Sequence, residues 1–181
     1  MIDALKEAEK HLPELLLQPE RWKSLDVNYF PPRVERLWTQ YNEKYRLFVH
    51  LIHPTDQPCL LHKHKWEAAF KMVAGSYDMS IAYCEDEITS EEAYELPVVA
   101  SMEFHKGSYY EMAHTNSMHF VRPRKYPSLS LMLTGNLYPE PRVEAKHDGL
   151  LPLTEERKLA LMKSTREIIM NPNAYPFFVW A

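Results

Sequence analysis

The sequence predicts a mainly β protein, an antiparallel β-barrel or sandwich flanked by helices at its two ends. Three observations predict it. From Tyr45 to Gly135 the chain breaks into short runs with a period of two, among them YRLFVHLIH, AAFKMVA, SYDMSIAYC, VVASMEF, SYYEMAH, MHFVR and SLSLMLTG, all rich in β-branched and aromatic residues. Prolines outnumber glycines 14 to 4 and recur at the spacing of short strands joined by turns. Both ends of the chain switch to helical spacing instead.

Taken in order, Leu5, Ala8, Leu12, Leu15 and Leu16 form the apolar stripe of a first helix, and Val34, Leu37, Trp38 and Tyr41 read as a second after the Pro31-Pro32 pair. Residues 1–43 are therefore expected as a helical N-terminal segment, and 44–140 as the barrel. Gly75 is expected to end the run AAFKMVA in a turn, and Gly107 to turn between two later strands. The acid-rich EDEITSEEAYE reads as a solvated hairpin or loop. Within 150–172, Thr154 caps a helix with glutamates in its first turn and basic residues later, as the helix dipole prefers. This helix is expected to pack outside the barrel. No repeat, low-complexity segment or linker divides the chain, so 1–181 is read as one domain.

At 181 residues the chain is long enough to bury a core without disulfide or metal staples. A net charge of -4 gives no basic footprint for nucleic acid. No apolar run reaches the roughly 20 residues that span a bilayer, and the opening MIDALKEAEKHLPELL mixes acids with bases. A cytoplasmic protein is expected, with neither nucleic acid nor membrane as partner. In that setting Cys59 and Cys84 are expected as thiols.

The informative stretch is LHKHKWEAAFKMVAGSY. Residues two apart on a strand share a face, so His62 and His64 can bite one metal ion while Lys63 and Lys65 point away. Alone, such a pair is weak, because nine histidines produce a His-x-His by chance fairly often. A third imidazole from a separate strand would complete a facial triad with open positions. His119, in the strand-like MHFVR, is the leading candidate, with His105 and His114 as competitors.

This pattern resembles the first and second motifs of the cupin superfamily: a His-x-His pair, a glutamate four residues on, a glycine seven residues after that, then one more histidine beyond a second glycine turn. His62, His64 and Gly75 fit, as do Gly107 and His119. The glutamate position falls on Ala68, with Glu67 one place early and so on the opposite face of a strand unless a bulge intervenes. The resemblance implies a double-stranded β-helix, or jelly-roll, with a metal held by His62, His64 and His119 and Glu67 as an alternative ligand. A three-histidine cupin is most similar to the cysteine dioxygenase or thiol dioxygenase branch, over roughly residues 33 to 140. That branch carries an arginine upstream of the histidine pair that binds the substrate carboxylate, and Arg36 lies at that distance. Where the branch has a Ser-x-His-x-Tyr row after the third histidine, this chain reads Ser130, Met132 and Thr134.

The expected cofactor is Fe(2+), although zinc, nickel or manganese can occupy such a donor set as isolated. Three neutral imidazoles leave the ion its full charge, which suits a small anionic, carboxylate-bearing substrate. The function expected is a non-haem iron oxygenase or dioxygenase, with Arg36 as carboxylate anchor, a guanidinium fork matching two carboxylate oxygens. Ser130 and Met132 would line the cavity if the polar set of their strand faces inward. Tyr110 is a candidate to stand behind the ligating histidines, among tyrosines that otherwise read as core, and His114 is either a nearby base or a solvated loop residue. The alternatives are a non-redox metal isomerase or lyase, in which the ion polarises a carbonyl, and a small-molecule binding or sensing barrel without turnover. A monomer or homodimer fits any of them.

Overall fold

Helix α1 (Ile2–Leu15) forms where the leucine stripe predicts it, with Leu5, Ala8, Leu12 and Leu15 buried. The structure is a computed structural model that describes residues 1–28, 31–63, 66–84, 90–114, 117–135 and 150–171. After α1 come β1 (Lys23–Val27), β2 (Val34–Gln40), β3 (Tyr45–Ile52), β4 (His62–Lys63), β5 (Ala68–Tyr83), α2 (Ser90–Glu95), β6 (Ala100–His105), β7 (Tyr109–Met112), β8 (Ser117–Gly135) and α3 (Glu155–Met170). All strand pairings are antiparallel, and the sheet runs β1-β2-β3-β8-β5-β6, with β4 added to β8 and β7 to β5. The mainly β, antiparallel class is thus the one the sequence predicts.

The two long strands give the sheet its shape. β8 pairs with β4 near its start and β3 near its end, while β5 pairs with β7 near its start and β6 near its end. Where β5 runs beside β8 the register slips between Met72 and Tyr77, and such bulges bend a strand and tighten its twist. Gly75 sits inside this bulge at φ +72°. A Cβ there would lie 2.2 Å from both the Lys125 and Pro127 carbonyl oxygens, so only glycine lets the strands cross this closely. The turn expected to end the run AAFKMVA at Gly75 is accordingly a bend within one continuous strand. Gly107, at φ +90° between β6 and β7, does turn the chain.

Alternation along the strands sorts the residues onto two faces. Leu37, Leu47, Val49, Leu51, Leu129, Leu131 and Leu133 form an outer face that packs with Leu5 and Leu12 of α1 and Leu161, Met162 and Ile168 of α3. Burying each leucine contributes about 1.5–3 kcal/mol. α3 starts at Thr154, whose Oγ1 accepts from the Arg157 N–H at 3.2 Å. On the inner face, Trp38, Phe48, Met132, Phe70 and Tyr110 stand in one register row across β2, β3, β8, β5 and β7, and Arg36, His50, Ser130 and Met72 stand in the next.

Three expectations need correction. The second helix does not form: Val34–Gln40 is strand β2, preceded by strand β1, so the N-terminal segment is α-helical only through Leu15. Both faces of β2 are covered, Glu35, Leu37 and Thr39 being buried on the helix side while Val34, Arg36 and Trp38 face inward. Apolar residues therefore fall on both faces, and their spacing mimics a helical period. The acid-rich stretch is not all loop, since Ser90–Glu95 is helix α2, with Ala93 buried against Leu61, Ala82 and Met118; its residues 85–89 lie outside the described ones. MHFVR and SLSLMLTG are parts of one strand, β8. Among the described residues, no helix is long and apolar enough to cross a membrane.

Candidate metal centre and its pocket

β4 is a strand of two residues, but its pairing with β8 puts His62 directly opposite His119. Cross-strand partners share a face, and the two rings meet with centroids 4.8 Å apart at 58°. His119 is 4% exposed, and its ring lies 5.9 Å from that of Phe70, on the inner face. His62 Nδ1 lies 3.2 Å from the Leu60 carbonyl oxygen. A carbonyl can only accept, so this contact puts the proton on Nδ1 and leaves the Nε2 lone pair for a ligand. Burial pushes the His62 pKa down; the Leu60 carbonyl opposes that shift and the Arg36 charge adds to it. The neutral ring that results is the form a metal requires.

Two imidazoles on adjacent strands, that of His62 half-buried and that of His119 buried, suit a borderline divalent ion. Among the described residues no group of three or more His, Cys, Asp or Glu side chains converges. His64 lies outside the described residues, so the described part of the site is the His62–His119 pair. Glu67 precedes β5 with its side chain exposed, while Ala68, in the position of the motif glutamate, is fully buried. His114 is exposed beyond the end of β7, and His105 is exposed as well. Neither is brought to the His62–His119 pair.

Arg36 sits in strand β2, not in the expected helix, and this is what turns it inward. Its guanidinium carbon is 5.8 Å from the Phe48 ring centroid, near enough to His62 for its charge to count there. Ser130 and Met132 are 1% and 2% exposed and both face the interior, beside His50 and Phe48 in register. Trp38 at the end of the aromatic row is flanked by two cations, Lys23 Nζ at 4.8 Å and Arg46 Cζ at 5.7 Å from its ring. The inner face thus combines an apolar floor with positive charge, which favours an anionic guest.

Tyr110 lies on this face as well, its ring stacked on Phe70 at 4.5 Å and 8°. Its hydroxyl is 2.8 Å from that of Tyr77, which is 1% exposed. Burial raises both phenol pKa values, so the pair stays protonated. Sequence reasoning missed Tyr77, His50 and Met79, the last with its sulfur 3.3 Å from His119 Nδ1. The signal for His50 was available, since it lies two residues after Phe48 and four before Pro54 on a run of period two. No comparable signal marks Met79, because its contact depends on how β5 crosses β8.

No protein-family model matches the chain, and no curated protein matches it significantly. Solved structures similar to it include KdgF from Halomonas sp., at 12% identity and a TM-score of 0.45, over 62% of this chain and 86% of that one. An RmlC-like cupin from Shewanella frigidimarina aligns at 9% identity and a TM-score of 0.46, over 66% and 88%. The EutQ protein of Clostridium difficile aligns at 10% identity and a TM-score of 0.42, over 62% and 75%.

Proposed function

We propose that this chain is a cupin-type metalloenzyme whose His62, His64 and His119 hold a divalent iron, and that it oxygenates a small carboxylate-bearing substrate anchored by Arg36. The observation that carries this reading is the cross-strand pair of half-buried His62 and buried His119, with ring centroids 4.8 Å apart. Iron held by these neutral imidazoles would retain its charge and would supply the chemistry that activates dioxygen beside an anionic donor. The chain's own part is binding and exclusion. Arg36 grips the carboxylate, Phe48, Phe70 and Met132 form the dry wall that shields the site from water, and Ser130 lines the cavity beside His50.

The test is anaerobic loading with ferrous iron, then metal analysis and oxygen uptake with a panel of small thiols and enolisable acids. Wild type is expected to hold about one iron per chain, and His62→Ala and His119→Ala to lose most of it. Arg36→Met is expected to keep the iron and lose affinity for the acid. Unchanged iron content in both histidine variants would refute the metal site. Iron binding without oxygen uptake on any acid or thiol would refute the oxygenase, and turnover that persists without oxygen would place the chemistry with the non-redox isomerases or lyases.

A further inference from the structure

Both histidines of the pair meet a neighbour through Nδ1, and the two neighbours differ in kind. His62 meets a backbone carbonyl at 3.2 Å, an ordinary acceptor. His119 meets the thioether sulfur of Met79 at 3.3 Å, in a spot where His119 is 4% and Met79 2% exposed. A thioether has lone pairs and no proton to give. If Nδ1 carried its own lone pair, the contact would set two electron-rich atoms against each other without solvent between them. The contact is attractive only with the proton on Nδ1, an N–H···S bond, which leaves the His119 Nε2 lone pair for the pocket.

We propose that Met79 is a positioning residue for this site: its sulfur fixes the His119 tautomer and ring angle so that Nε2, as in His62, is the nitrogen that would donate to a metal. Met79 is well placed for this. It packs with Met72, Tyr77 and Phe104 on the inner face and is paired on both sides, with Val121 of β8 and Met102 of β6, so its side chain starts from a fixed backbone. A sulfur also accepts more weakly than a carboxylate or carbonyl oxygen. It makes His119 a less basic donor than His62, so the two imidazoles of the site are unequal by construction. The metal part of the proposal rests on the preceding reading, and the tautomer part does not.

The experiment compares wild type with Met79→Leu, which keeps the volume and removes the acceptor, and Met79→Gln, which restores one through an amide oxygen. Two-bond proton–nitrogen correlation of histidine-labelled, metal-free full-length protein, at mildly alkaline pH, reads each ring's tautomer; ferrous iron titration reads affinity. Wild type is expected to show Nδ1–H at both rings. Met79→Leu is expected to mix the His119 tautomers, leave His62 unchanged and weaken iron binding roughly tenfold, with Met79→Gln returning both readouts toward wild type. An Nε2–H tautomer at His119 in wild type, or a His119 signal unchanged in Met79→Leu, overturns the proposal even if Met79→Gln fails to fold. A tautomer shift with no loss of iron affinity upholds the hold of Met79 on the ring and overturns His119 as a metal ligand.

Discussion

Arg157→Met is expected to be among the most damaging single changes outside the pocket, because it strands a carboxylate under helix α3. Glu35 on β2 is 2% exposed. Arg157 of α3 reaches it through Nε, at 2.8 Å and 3.1 Å from the two carboxylate oxygens, and through a terminal nitrogen at 2.7 Å. Arg33 stands at 3.4 Å and His53 at 3.6 Å. Burial by itself would raise the Glu35 pKa, but hydrogen bonds and charge from His53 and Arg157 overcome it and hold it at about 2. Relative to the ordinary value of 4.5, this corresponds to about 3 kcal/mol of folding free energy. Removing one partner of a buried pair costs about 3–5 kcal/mol. Arg33 and His53 remain in the variant and water can reach the space that the partly exposed Arg157 leaves, so the lower end is expected. The double variant Glu35→Met, Arg157→Met removes both charges and should recover most of the loss. Because the folded pKa is depressed, this stability is complete above the ordinary value and drains away as pH falls from about 4.5 towards 2. Urea denaturation at neutral pH and again across that acid window, followed by circular dichroism, measures both effects. A loss under about 1 kcal/mol for Arg157→Met, or an acid sensitivity equal to that of wild type, would refute the reasoning.

Two further outcomes test the fold. Gly75→Ala should destabilise by more than about 2 kcal/mol, or prevent folding, because the new Cβ meets two backbone oxygens and the backbone is left-handed; Gly107→Ala, left-handed but with nothing within 4 Å, should cost only about 1–2 kcal/mol, and equal midpoints in thermal melts would count against the strand crossing described. Leu131→Ala, at a fully buried position between sheet and helices, should cost about 2–5 kcal/mol, whereas Met132→Leu on the inner face should cost less than about 1.5 kcal/mol. Chemical denaturation separates them, and a smaller loss at Leu131 would show that this face is not the main core.

Local spacing was enough for the β class, because a period of two survives wherever one face of a strand meets a core and the other meets something different. It also determined α1 and α3, whose stripes and cap are local features, and it marked His62 and His119 as residues to watch. Tertiary structure alone decided the rest. β2 could not be read as a strand, since its burial alternates but its hydropathy does not: Glu35 and Thr39 share the buried face with Leu37, while Val34 and Trp38 stand on the other. Arg36 points into the pocket only because β2 is a strand, and Gly75 bends β5 instead of ending it only because β8 lies against it. The neighbour that orients His119 is remote in sequence: Met79, 40 residues earlier, reaches it through the register of β5 against β8. Local spacing records which face a residue takes, but which atom waits on that face depends on pairing between distant segments, and no short-range pattern encodes that.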